Sequence, residues 1–175
     1  MIQALTIKSE SRAWPIIKDI VFIVSFALLT GISANLKIEI GIVPITMQTL
    51  AVLLSGALLG AKRGALSQLT YLLMGLSGIF WFAHGGGFAY ILSPTFGYII
   101  GFILASYVTG LLYEKISVFA LLIGNIFIYM FGLLWLATFI GFEKALTAGL
   151  YPFILGDALK ISLAGIILSA KNSLK

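Results

Sequence analysis

From Leu150 to Ala170 the chain carries only two charges, Asp157 and Lys160, in a run that is otherwise dominated by apolar residues. A stretch of about 20 such residues is long enough to cross a bilayer as a helix. On a helix, residues three apart share a face, so the acid and the base point the same way. A charge near the bilayer centre costs about 2.5–3.5 kcal/mol on insertion scales, and such residues face a protein interior, a partner or a ligand. The rest of the chain must therefore build a wall around this pair. Counted from Tyr151, Asp157 lies about 9 Å and Lys160 about 13 Å along the helix, at 1.5 Å per residue.

The composition agrees. Of 175 residues, 61% are hydrophobic and 10% charged, with a mean hydropathy of +1.12. A soluble domain carries about 25% charged residues, so this chain cannot cover a water-facing surface. The expected fold class is all-α, a polytopic membrane protein of six transmembrane helices. The expected organisation is one transmembrane domain over residues 1–175, with a polar leader at 1–15. That leader lacks an apolar core followed by a cleavage site, which argues against a cleavable signal peptide. The absence of cysteine excludes disulfides and thiolate chemistry.

The pattern places helices at about 16–36, 45–59, 65–80, 95–113, 118–140 and 151–170. Trp14-Pro15 reads as an interfacial start. Residues 37–44 read as a turn, 60–64 as a tight basic turn, 81–90 as a glycine-rich loop among aromatics, and 141–149 as a loop. Ala27, Gly31 and Ala34 on the first helix permit close approach of another backbone. The count of Lys and Arg by side sets orientation. Lys8, Arg12, Lys18, Lys62, Arg63, Lys115, Lys171 and Lys175 fall on one side, Lys37 and Lys144 on the other. This split puts both termini in the cytoplasm and the first, third and fifth loops outside. The net charge of +5 is explained by topology, with no basic patch for nucleic acid.

Two readings of Asp157 and Lys160 stay open: the polar wall of a ligand site, or a structural ion pair that docks two helices. A proton relay wants several acids in series, and Asp157 is the sole acid expected within helices two to six. His84, the single histidine, has no companion ligands for a metal and no Gly-x-Ser-x-Gly serine for a triad. It is a lid residue touching ligand or plain loop. Gly85-Gly86-Gly87 lacks the Lys-Ser/Thr of a phosphate loop, so no ATPase motif is present, and no cofactor or enzymatic activity is expected. Three glycines suit a loop whose backbone comes close to a ligand. Gln48, Tyr71, Tyr98, Asn125 and Tyr129 are able to hydrogen-bond from within helices. The aromatics Phe80, Trp81, Phe82, Phe88 and Tyr90 fit either stacking on a ring system or anchoring at the interface.

Val43-Pro44-Ile45-Thr46-Met47-Gln48-Thr49-Leu50-Ala51-Val52-Leu53-Leu54 resembles the second-helix signature of the BioY family, the biotin-specific substrate-capture (S) components of energy-coupling factor (ECF) transporters. The likeness continues through residues 56–65, Ser93-Pro94-Thr95-Phe96-Gly97-Tyr98, residues 128–136 and Pro152-Phe153-Ile154-Leu155-Gly156-Asp157-Ala158-Leu159-Lys160. Ser93 stands where the family usually has glycine. The resemblance implies capture of biotin from the outer side, in a pocket built from the outer loops and helices four to six. It implies Asp157, Lys160, His84, Gly86, Gly87, Tyr98, Gln48 and Asn125 as ligand residues, with the acid and base on the ureido ring or Lys160 on the valerate carboxylate. It also implies docking to a transmembrane coupling subunit and two cytoplasmic ATPases through Ala27, Gly31 and Ala34. Some relatives work without the ATPase module. The alternatives are capture of another vitamin and a membrane scaffold whose ion pair holds helices together.

Overall fold

The computed structural model describes the backbone of residues 2–173 and the side chains of residues 14–170. Lys8, Arg12, Lys171 and Lys175, which enter the charge count, have side chains outside the described residues. The chain is mostly helical: α1 Ile2–Asn35, α2 Gln48–Leu59, α3 Ala61–Leu76, α4 Phe96–Ile116, α5 Val118–Ile140, α6 Phe142–Gly149 and α7 Ile154–Ser173. Short 3-10 turns at Phe88–Leu92 and Tyr151–Phe153 precede α4 and α7.

Among the described residues, four segments are long and apolar enough to cross a membrane: Trp14–Asn35, Phe96–Ile116, Val118–Ile140 and Phe142–Ala170. The chain is thus a multi-pass membrane protein. The other two expected spans are short. With 12 and 16 residues, α2 and α3 reach about 18 and 24 Å, less than the roughly 30 Å hydrocarbon layer.

Several boundaries differ from the sequence reading, each for a local reason. Pro15 does not begin α1; the helix runs through it from Ile2. Ile45 and Thr46 do not open α2. They pair antiparallel with Lys37 and Ile38 (β1 Lys37–Ile38, β2 Ile45–Thr46), turning the first loop into a small hairpin. The fifth loop contains helix α6, which buries Ala145 and Gly149 at i and i+4 and exposes Glu143 and Lys144. That spacing is amphipathic, as for a helix lying along a surface.

Glycines set how closely the helices approach. Gly56 on α2 and Gly64 on α3 lie back to back, a Cβ on Gly64 falling 2.9 Å from the Gly56 Cα. A Cβ on Gly56 would lie 3.0 Å from the Thr109 Cβ and 3.1 Å from the Gly110 nitrogen of α4, and would strike the Ser106 carbonyl oxygen. Beside this contact, Gln68 Nε2 donates to Ser55 Oγ at 3.1 Å and to Thr30 Oγ1 at 3.3 Å, and Ser55 Oγ meets Ser106 Oγ at 2.7 Å. Small residues and hydroxyls of this kind hold helices together where no water competes. Replacing Gly56 with valine forces backbone apart, and overpacking costs about 1–3 kcal/mol. The expected outcome is a lower unfolding temperature for the detergent-purified protein, measured by the light-scattering onset on heating. An unchanged onset means that α2 and α4 do not meet here.

Candidate functional site

The hairpin at residues 37–46, the glycine-rich loop and the turn before α7 gather at one end of the bundle, over a cavity of about 540 Å³ counted to its open mouth. Its apolar wall comes from Val43 and Pro44 of the hairpin loop, Ile99 and Phe102 of α4, Ile128 of α5 and Phe153. Tyr90, Tyr98 and Tyr129 add aromatic rings, and Tyr129 stands edge-on to both Tyr98 and Phe153 at 6.4 and 6.5 Å between centroids. The polar groups are few: Thr46, Gln48, Thr49, Thr95 and Lys160.

Lys160 is 6% exposed and Asp157 4%. The ammonium donates to Asp157 Oδ1 at 3.0 Å and to Thr49 Oγ1 at 2.9 Å. An ammonium has three protons, so one is left for whatever enters the cavity. The second carboxylate oxygen is taken from behind: Asn125 Nδ2 donates to Asp157 Oδ2 at 3.1 Å, and the Tyr129 hydroxyl donates to the same oxygen. A buried charge pair persists when its remaining lone pairs and protons are satisfied, and here α2, α5 and α7 supply the partners. Lys160 and Tyr129 each have one end on the carboxylate and line the cavity. Asp157 itself is not among the lining residues. Asn125 Oδ1 is buried with no partner among the described residues.

Over the mouth, Lys37 Nζ donates to the carbonyl of Ala83 at 2.6 Å, tying the hairpin to the glycine-rich loop. Glu39 pairs with the same ammonium at 2.6 Å. The hydrogen bond and positive charge of Lys37 hold the Glu39 carboxyl below its ordinary range.

Of the residues expected to meet a ligand, Gln48, Tyr98 and Lys160 line the cavity, and Asp157 and Asn125 stand directly behind Lys160 and Tyr129. His84 is exposed, and neither it nor Gly86 or Gly87 lines the cavity; Ala83 and Tyr90 are the lining residues of that loop. The glycines serve the loop itself. A Cβ on Gly86 would strike the Ile79 carbonyl, and Gly87 has φ +92° while its N–H donates to Gly75 O at 2.8 Å. Ala27, Gly31 and Ala34 are turned inward. All three are buried, and Gly31 lies under the Trp81 ring. They pack this chain's own core.

Sequence reasoning passed over Thr49 and Phe153, and left Tyr129 out of its ligand set. The signal for Tyr129 was its place four residues after Asn125, which puts both on one helix face.

Residues 4–174 match the model of the BioY family. A protein of Pyrococcus horikoshii named "Probable biotin transporter BioY" is 43% identical over 151 residues, covering 86% of this chain and 93% of that protein. The "Biotin transporter BioY" of Thermotoga maritima is 38% identical over 149 residues, covering 81% and 88%. Among solved structures, an S-component for biotin from an ECF-type ABC transporter aligns with a TM-score of 0.81 at 27% identity, over 90% of this chain and 92% of that one. A mostly apolar cavity closed on one side by a buried Lys160–Asp157 pair, a near full-length family match and the same fold agree: this chain belongs to the BioY family.

Proposed function

We propose that this chain captures biotin in the cavity above Lys160 and delivers it across the membrane as the S component of an ECF-type transporter. In this reading α2 and α3 complete six membrane-crossing segments, both termini are cytoplasmic, and the cavity opens to the outside. The observation that carries it is the free ammonium proton of Lys160 in an otherwise largely apolar, ring-lined cavity. Biotin has one ureido carbonyl and one carboxylate to accept that proton, and an apolar bicycle and chain to lie against Tyr98, Phe102, Tyr129 and Phe153. Charge-assisted hydrogen bonds in a dry site contribute about 1.5–3 kcal/mol each.

The three donors already on Asp157 change the part it plays. Its oxygens are committed to Lys160, Asn125 and Tyr129. We assign it to holding the ammonium and the phenol in place, and assign the acceptors for the ureido N–H groups to the threonine hydroxyls that line the cavity. The partners in this reading are a transmembrane coupling subunit and two cytoplasmic ATPases. The inward-turned Ala27, Gly31 and Ala34 leave the docking face to other residues.

The test is mass spectrometry of the small molecule that copurifies with the detergent-extracted chain, followed by equilibrium binding of radiolabelled biotin. One biotin per chain, competed by biotin and not by thiamine or riboflavin, is the expected result. Saturable binding of a different vitamin overturns the substrate, and no saturable binding overturns the capture function.

A further inference from the structure

Gln48 opens α2 at the edge of the cavity, and its side chain is held by a chain of contacts that leads away from the cavity to α1. Gln48 Nε2 donates to the Tyr71 hydroxyl at 2.6 Å, and that hydroxyl donates to the Trp81 carbonyl at 3.2 Å. In return Trp81 Nε1 donates to the Tyr71 carbonyl at 3.2 Å. Tyr71 is 0% exposed and Trp81 7%. The indole rests on Gly31 of α1, where an added Cβ would fall 2.5 Å from Trp81 Cε3 and 2.8 Å from Cδ2.

This chain decides which way the Gln48 amide faces. A carbonyl only accepts, so the Tyr71 proton is spent on Trp81 and its oxygen is left as an acceptor. Gln48 must then turn its NH2 group toward Tyr71. The other side agrees: Thr46 Oγ1 accepts from the Gln48 backbone N–H at 3.3 Å and donates to Gln48 Oε1 at 3.2 Å. The carbonyl oxygen of the amide is thereby occupied, and the second N–H of Nε2 is left for a ligand.

We infer that Tyr71 and Trp81 are positioning residues for the cavity: the indole, seated on the bare α-carbon of Gly31, fixes Tyr71, and Tyr71 fixes Gln48 as a hydrogen-bond donor to the ligand. Neither aromatic lines the cavity. The inference rests on the reading of this cavity as the biotin site. Gln48 then adds a neutral donor to the charged one on Lys160, so that the site recognises a ligand with two acceptor groups. The same contacts give α1 a mechanical route to the cavity through the side chains of Trp81 and Tyr71.

The test is a double-mutant cycle on the purified full-length chain, read both in the biotin dissociation constant and in the unfolding midpoint. Tyr71→Phe is expected to weaken binding about tenfold, the worth of a freed hydrogen-bonding group. Gln48→Leu is expected to weaken it at least as much. In the Gln48→Leu background, Tyr71→Phe is expected to cost less than about twofold, because no amide is left to turn. A tyrosine that only supports the fold costs the same in both backgrounds, and that result overturns the inference. Gly31→Ala is expected to weaken binding in the wild-type background and to add nothing on top of Trp81→Phe, whose smaller ring leaves room for the methyl group; additive losses overturn the Trp81 step. Should the wild-type chain bind no biotin, the substrate reading fails by itself. The cycle is then read in unfolding midpoints, where additivity of Tyr71→Phe and Gln48→Leu still overturns the inference.

Discussion

Replacing Asp157 with asparagine is expected to weaken biotin binding by about 100-fold or more, in line with the loss of one partner of a buried charge pair. The carboxylate accepts from three donors at once: Lys160 on one oxygen, Asn125 and Tyr129 on the other. Asparagine keeps the shape but offers a single acceptor oxygen and an NH2 group. If the NH2 faces Lys160, two donors oppose each other and the ammonium loses its counter-charge. If it faces Asn125 and Tyr129, two NH2 groups oppose each other and the phenol loses the charged acceptor that held it, so it must turn to accept instead. Either arrangement displaces a group that lines the cavity, so the ligand feels the change although Asp157 does not reach it. Equilibrium binding of radiolabelled biotin to the purified variant measures the effect. Wild-type affinity in that assay removes the whole carboxylate network from the site.

Much of this arrangement was legible in the chain. An apolar run with an acid and a base three residues apart already required a protein-facing helix stripe, and both side chains are buried on α7. The fifth span, 118–140, needed no correction, because its ends are set by local signals, Ser117 with φ +47° and Gly141 with φ +80°. What could not be read is who stands opposite whom. The spacing of Ala27, Gly31 and Ala34 announces a close approach without saying whose; at Gly31 the answer is Trp81, fifty residues on, and so internal. The aromatics of the glycine-rich loop divide in the same way. Trp81, Phe82 and Tyr90 are buried while Phe80 and Phe88 are 82% and 76% exposed; Gly31 admits the Trp81 ring, Gly75 admits the Phe82 ring, and Tyr90 packs on Phe82. The residues 37–46 misled for a different reason. Two paired residues a side are too few to leave a period in the sequence, so a hairpin looked like a turn.

Ligand capture and helix docking make opposite demands on the buried pair, and a double replacement separates them. Asp157→Leu alone strands the Lys160 ammonium in an apolar surround, and breaking a buried pair in this way costs about 3–5 kcal/mol. Adding Lys160→Met removes the stranded charge. Buried ion pairs replaced by apolar residues of similar volume leave stability unchanged or raise it. The double variant is therefore expected to recover most of the unfolding midpoint lost by the single one. Thr49 loses one donor, and the Asn125 and Tyr129 donors lose their acceptor, which keeps the recovery short of complete. Binding follows the other course. With the ammonium gone, the cavity has lost its one charged donor, and no measurable biotin affinity is expected in a variant that is folded and in the membrane. A double variant that still binds biotin shows that Lys160 never touched the ligand. A double variant as unstable as the single one shows that α7 is held by the polar bonds to Thr49, Asn125 and Tyr129, and that their loss, more than a stranded charge, is what unfolds it.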